Sequence, residues 1–93
     1  MDEDTPAIVL TLPAALTRLF PGAERRVTLH AATVAAAMDA LDARWPGMRD
    51  RLCDSMPAIR RHINVFVDGE RATLVTVLRP GSEVLVMTAM SGG

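Results

Sequence analysis

The chain has 93 residues, a length that suits one domain with a single modest core. Apolar residues make up 49% and charged residues 23%, the composition of an ordinary globular protein. A formal net charge of −1 argues against a general attraction to nucleic acid, because binding to phosphates needs surplus positive charge. No apolar run approaches the ~20 residues of a membrane span, and residues 1–4 are acidic, unlike a secretory leader. We therefore expect one soluble cytoplasmic domain over residues 1–93 that binds neither nucleic acid nor membrane.

Two strands are predicted in the first third of the chain. Residues 7–12 are aliphatic and β-branched and end at Pro13, which indicates a strand. Its side chains on one face should be buried: Ile8, Leu10 and Leu12. Residues 13–24 contain two prolines and a glycine and indicate a loop or wide turn, whose apolar side chains should fold back on the core: Leu16, Leu19 and Phe20. Residues 25–30 alternate in polarity and should form a second strand, paired with the first as a hairpin.

The clearest helix is predicted from about Val34 to Trp45. Thr33 is a suitable N-cap, and Pro46 with Gly47 ends the helix. Apolar residues recur at spacings of four, three and four to form one stripe: Val34, Met38, Leu41 and Trp45. A short second helical turn should cover residues 47–53, followed by a loop through residues 56 and 57.

The last third of the chain is predicted to be β structure. Residues 62–67 alternate between aliphatic and other side chains, and Asp68-Gly69 is a favoured tight-turn pair. The returning strand should run from about residue 71 to 77. Residues 79–82 indicate another turn, and residues 83–89 a final strand. Four residues remain after it, residues 90–93, which we expect to form a flexible tail.

A strand pair, one crossing helix and further strands predict an α+β roll with a mixed sheet of four to five strands. The crossover rule favours placing the first and last strands side by side and parallel, with the main helix packed across them. This is the β-grasp, or ubiquitin-like, arrangement.

The ordered set of motifs resembles the MoaD/ThiS family of ubiquitin-like sulfur carriers. The resemblance lies in residues 63–70 (INVFVDGE), residues 78–84 (LRPGSEV) and the terminal residues 90–93 (MSGG). Residues 12–16 and 61–65 look more like the carriers that feed cysteine biosynthesis. The resemblance implies a protein co-substrate rather than an enzyme, with no bound cofactor. It also implies two partners, an E1-like adenylating enzyme that uses ATP and a biosynthetic enzyme that accepts the sulfur.

The tail carries the chemistry that the resemblance implies. Adenylation would convert the poorly electrophilic carboxylate of Gly93 into an acyl group with a good leaving group, and sulfur would then form a thiocarboxylate on Gly93. Ser91 and Gly92 would pass through the partner's channel, where glycine tolerates unusual backbone angles because it has no Cβ atom. Residues 90–93 can reach at most roughly 13–14 Å when extended, enough to enter a pocket from a docked surface. With Gly93 as the last residue, we expect direct activation without prior proteolysis.

A candidate docking patch lies opposite the predicted core stripe of the last strands. Its members are Phe66, Leu85 and Met87, which would lie on the sheet face away from the helix. Ordinary scattered surface residues are the alternative explanation.

The remaining polar candidates indicate no catalytic or metal site. The basic run at residues 60–62 is interpreted as a solvated turn, with contact to an acidic partner as the alternative. His30 and His62 have no carboxylate or thiol at metal-ligand spacing. Cys53, the single cysteine, is expected to be a small buried apolar residue. The run Asp68-Gly69-Glu70 is interpreted as a turn signal rather than as a pair of catalytic carboxylates.

Two other functions share the same tail. One is a conjugating modifier, in which Gly93 would form an isopeptide bond with target lysines. The other is a binding module or non-catalytic subunit with an idle tail. The acceptor of the sulfur stays open among enzymes that form cysteine, molybdopterin, thiamin or another sulfur-containing metabolite.

Overall fold

A computed structural model of the protein describes residues 5–53 and 58–88. The strands are β1 (Ala7–Thr11), β2 (Arg26–His30), β3 (Ile63–Val67), β4 (Glu70–Arg71) and β5 (Glu83–Thr88). The helices are α1 (Ala14–Thr17), α2 (Val34–Arg44) and α3 (Met48–Leu52). The predicted loop at residues 56 and 57, Ala89 and the tail at residues 90–93 lie outside the described residues.

The strands form one mixed sheet in the order β2-β1-β5-β3-β4. β1 pairs with β2 antiparallel and with β5 parallel, while β3 pairs antiparallel with both β5 and β4. The predicted hairpin and the predicted parallel pairing of the first and last strands are both confirmed. The fold is therefore the β-grasp roll that the order of elements indicates, with β5 at the centre of the sheet.

The core lies between the sheet and α2. Alternation places every second strand residue in it: Ile8, Leu10, Val27, Leu29, Ile63, Val65, Val84 and Val86. The helix contributes one stripe: Val34, Ala37, Met38 and Leu41. Trp45, the last member of the predicted stripe, is the C-cap of the helix and packs partly buried against the core. The first three members are fully buried, so the stripe is confirmed. The side chain of Thr33 accepts a hydrogen bond from the Ala36 amide at 3.1 Å, which confirms the predicted N-cap.

The segment after β4 corrects the predicted strand at residues 71–77. β4 ends at Arg71, and the chain then turns to the beginning of α2. The carbonyls of Leu74 and Thr76 accept hydrogen bonds from the Ala35 and Val34 amides at 2.9 and 3.1 Å. The first amides of a helix have no partner within the helix, so this segment satisfies them and cannot also pair along β3.

The connection between β1 and β2 also differs in part from the prediction. It contains one helical turn, α1, where a loop was expected. Leu16 is buried and Phe20 packs against the core, but Leu19 is 52% exposed, so its predicted burial is wrong. In one helical turn followed by a reversal only part of the apolar set can face inward.

Two carboxylates of α2 hold its junction with α3: Asp39 pairs with the Arg49 guanidinium at 2.8 Å, and Asp42 binds backbone amides. Asp42 accepts hydrogen bonds from the backbone amides of Gly47 and Arg49 at 3.0 and 3.1 Å. Gly47 has φ +96°, a left-handed conformation that glycine adopts without steric cost. The predicted helical turn after Pro46 is confirmed as α3, and Cys53 follows it as a buried residue, as expected.

Replacing Thr33 with alanine removes the N-cap of α2. We expect the free energy of unfolding to fall by about 1 kcal/mol, because one helix amide loses its acceptor. Urea denaturation followed by circular dichroism measures the change. Thr73→Ala is the matched control, since Thr73 is exposed in an irregular segment, and its effect should stay within about 0.5 kcal/mol. Equal losses for the two variants would contradict the capping role.

Candidate functional site

The open face of the sheet carries an exposed apolar patch on its central strand. Along β5, Val84 and Val86 point into the core, whereas Leu85 is 41% and Met87 45% exposed. Large apolar side chains are usually withdrawn from water at the centre of a sheet. Here the face opposite α2 leaves them uncovered.

Strand register brings the third predicted member to the same place. Phe66 of β3 lies directly opposite Leu85, and Asn64 lies opposite Met87, so Phe66 and Met87 are diagonal neighbours. Phe66 is partly buried. The three side chains line one shallow depression together with Asp68 and Glu83. We call Phe66, Leu85 and Met87 the open-face patch.

The patch is the middle of a row that crosses the whole sheet. Pairing partners follow one another in the order Arg26, Thr11, Leu85, Phe66 and Arg71, one residue from each strand. Strands lie about 4.8 Å apart, so the two arginines are separated by roughly 19 Å. The apolar centre thus has a guanidinium at either edge, a pattern that suits a partner with an apolar contact flanked by acidic groups.

The end of the patch near the β3–β4 turn is acidic. Asp68 and Gly69 have φ +51° and +88°, the pair of left-handed residues that a tight hairpin turn requires. The Asp68 carboxylate accepts a hydrogen bond from the Glu83 amide at 2.9 Å, and the Asp68 amide donates to the Glu83 carbonyl at 2.9 Å. Asp68 is therefore a turn residue, as expected, and it fixes the end of β3 against β5.

The tail follows the central strand. Thr88, the last residue of β5, lies opposite Ile63 at the beginning of β3. Ser91, Gly92 and Gly93 lie outside the described residues, so their roles stay predictions. β5 pairs with β1 over Glu83 to Leu85 and with β3 as far as Thr88, so β3 alone is the paired neighbour of its last residues.

The other candidates are spread over the molecule. His30 and His62 are both exposed, as are Arg60 and Arg61. Within residues 5–53 and 58–88, no group of three His, Cys, Asp or Glu side chains is placed to hold a metal ion. Across the same ranges, no helix is long and apolar enough to cross a membrane.

Two features of the surface were missed by sequence reasoning. Arg26 and Arg71 belong to the row across the sheet only because of the register of the strands. For Arg71, which lies in the two-residue β4, the sequence does not specify that register. Val75 and Val77, expected in a strand, are exposed in the segment that caps α2.

Comparison with known proteins assigns the class and then the family. The solved structures that the fold matches are ubiquitin-like β-grasp proteins. The BexX/CysO complex of Amycolatopsis orientalis contains a chain that matches with a TM-score of 0.82 and 28% identity, covering 92% of this chain and 99% of that one. SAMP1 of Haloferax volcanii matches with a TM-score of 0.78 and 30% identity, covering 94% of this chain and 99% of that one.

Sequence relatives point the same way. Sulfur carrier protein CysO of Mycobacterium tuberculosis is 28% identical over 92 residues, which span 92% of this chain and 98% of that protein. The model of the ThiS family matches residues 10–93. The chain therefore belongs to the ThiS family, as its sequence motifs indicate.

The same substitution should destabilise the fold to very different extents at neighbouring residues of β5. Leu85→Asn changes an exposed position and should lower the free energy of unfolding by no more than about 1 kcal/mol. Val86→Asn buries an amide in the core and should cost about 3 kcal/mol or more. Urea denaturation of both variants measures this, and a larger loss for Leu85→Asn would show that the faces have been assigned the wrong way round.

Proposed function

We propose that this chain is a sulfur carrier protein whose C-terminal Gly93 is adenylated by an E1-like enzyme and converted to a thiocarboxylate. The observation that carries the proposal is the match to the ThiS family, which extends through Gly92 and Gly93. Similarity to sulfur carrier protein CysO over nearly its whole length supports it.

The proposed chemistry has two steps. The Gly93 carboxylate attacks the α-phosphorus of ATP, releasing pyrophosphate and forming an acyl adenylate. A hydrosulfide equivalent then attacks the acyl carbon and displaces AMP, leaving –C(O)S⁻ on Gly93. The activating partner uses the ATP, and this chain holds no cofactor of its own beyond the covalent sulfur. We place the reaction in the cytoplasm, where ATP is supplied.

In this proposal the chain is a co-substrate rather than an enzyme. Its body presents the tail, and Ser91 and Gly92 pass through the partner's channel to bring Gly93 to the reacting groups. Glycine at residues 92 and 93 lets the backbone fit a narrow passage.

The open-face patch supplies the affinity that a short tail lacks. Burial of Phe66, Leu85 and Met87 against the activating enzyme would remove apolar surface from water at about 25 cal/mol per Å². The flanking arginines, Arg26 and Arg71, would orient the partner by charge. That CysO of Amycolatopsis orientalis has been solved in a complex with BexX supports a partner-dependent role.

We propose that the sulfur acceptor is a biosynthetic enzyme that forms a sulfur-containing metabolite. Cysteine formation is favoured over molybdopterin or thiamin formation by the resemblance of residues 12–16 and 61–65 and by the similarity to CysO.

Incubating the full chain with its activating enzyme, ATP and sulfide should produce the mass increase that replacing one oxygen by sulfur requires. Intact-mass spectrometry detects it, and fragmentation should place the sulfur on the C-terminal residue. The variant that lacks Gly93 should show no mass increase under the same conditions, because its terminal acyl carbon does not reach the reacting groups. Loading of the shortened chain at the normal rate would refute Gly93 as the acceptor.

Docking through the open-face patch makes a separate prediction. Leu85→Asn should lower kcat/KM for thiocarboxylate formation about tenfold, the loss expected for a central interface contact. Val77→Asn is the matched control, since Val77 is an exposed aliphatic side chain outside the patch. If both variants are loaded at the wild-type kcat/KM, the patch is not the docking surface.

A conjugating modifier is the second candidate, favoured by the similarity to SAMP1, the small archaeal modifier protein 1 of Haloferax volcanii. The two functions share the acyl adenylate and differ in the nucleophile that follows. Intact-mass analysis of the protein from its native host separates them. A sulfur-bearing C-terminus supports the carrier, and a ladder of larger conjugates lost on deletion of Gly93 supports the modifier. If neither species is found, the chain is a binding module with an idle tail.

A further inference from the structure

A second concave surface lies on the β3–β4 edge of the sheet, apart from the open-face patch. It has a volume of about 420 Å³ and lies between the beginning of β3 and the segment at residues 72–75. Side chains that carry its chemistry are Ile59, Arg60, Arg61, Asn64, Arg71 and Val75. We call it the edge cleft.

The cleft exists because β4 is short. The Ala72 amide donates to the Val65 carbonyl at 2.8 Å, and beyond that contact the chain leaves β3 for the beginning of α2. The first half of β3 therefore faces an opening where a longer β4 would have paired with it. The carbonyls of Leu74 and Thr76 are bound to α2, which holds the far wall in place.

The cleft is basic. Arg60, Arg61 and Arg71 line it, and among the described residues that line it there is no carboxylate. The Nε of Arg60 donates to the Asp50 backbone carbonyl at 2.7 Å, and a guanidinium nitrogen of Arg71 donates to Asn64 Oδ1. Both acceptors are neutral, so they orient the guanidiniums without cancelling their charge. The Asp50 residue borders Arg60 on the other side, in a separate depression. The chain as a whole has a net charge of −1, so the positive charge of the cleft is a local feature of its surface.

One wall of the cleft is apolar. Val75 is 82% exposed although the backbone on both sides of it is hydrogen-bonded to α2. Ile59 packs partly against the core at the opposite side. A ligand that fills the cleft must therefore offer aliphatic surface as well as negative charge.

We propose that the edge cleft binds an extended segment of a partner protein in which carboxylate and aliphatic side chains alternate. An extended chain sends successive side chains to opposite sides, so its carboxylates can meet Arg61 and Arg71 while its aliphatic groups contact Val75. Charge complementarity selects the acidic segment, and the aliphatic wall distinguishes it from inorganic or nucleic-acid phosphate. The site goes beyond the proposed sulfur transfer and does not require it.

Titration of the ¹⁵N-labelled full chain with a short capped peptide of alternating aspartate and leucine tests the proposal. Amide shifts should change at residues 58–65 and 71–75 and saturate. A peptide of asparagine and leucine, identical in shape but neutral, should bind at least about tenfold more weakly, because the ionic contacts are lost.

Two matched pairs of variants locate the contacts. Arg61→Glu should weaken binding of the aspartate peptide about tenfold, while Arg26→Glu, an exposed arginine at the other edge of the sheet, should change it less than about twofold. Val75→Ser should weaken it about threefold, and Val77→Ser, exposed but outside the cleft, should leave it unchanged. All four positions are exposed, so the variants should fold.

Four results would overturn the proposal. They are failure of the aspartate peptide to saturate, equal binding of the neutral peptide, shifts confined to the open-face patch, and inorganic phosphate reproducing the same shifts with equal affinity. The last result would identify the cleft as a general anion site. Each outcome is independent of whether Gly93 accepts sulfur.

Discussion

The pairing of the first strand with the last is the constraint on which the rest of the structure depends. β5 is bound parallel to β1 and antiparallel to β3, so the end of the chain becomes the middle of the sheet. Opening either pairing would leave one edge of the central strand unpaired and would uncover the core residues Val84 and Val86. The pairing with β3 extends to Thr88, which lies opposite Ile63, so the last described residues of β5 are held by β3.

Strand alternation gives β5 one buried face and one exposed face. Successive residues of β5 face the core and the solvent in turn, so Val86 stabilises the fold while Leu85 and Met87 stay exposed, as the proposed docking requires. A slip of one residue in register would exchange the two sets. Asp68 protects against that slip, because its carboxylate and its amide both bind Glu83 at the end of the β3–β5 ladder.

Most of the fold could be predicted from local sequence, because its elements carry strong periodic signals. Alternation marked β1, β3 and β5, and the stripe on α2 with its Thr33 cap marked the helix. The prediction of a strand at residues 71–77 was wrong because this segment supplies acceptors to the first amides of α2, a helix far away in the sequence. The members of the open-face patch could be predicted from the alternation of side chains along β3 and β5. Their arginine flanks and the edge cleft required register and chain path, which depend on contacts far apart in sequence.

The hydrogen bonds from the Val34 and Ala35 amides to Thr76 and Leu74 tie a surface segment to the start of the main helix. Val75 is therefore exposed on a segment whose backbone is fixed by hydrogen bonds, rather than on an adaptable loop. Thermodynamic coupling follows: perturbations at the helix start and at residues 74–76 should not be energetically independent. Insertions or deletions within residues 74–76 would loosen the helix as well, because they would displace the acceptors of its first amides.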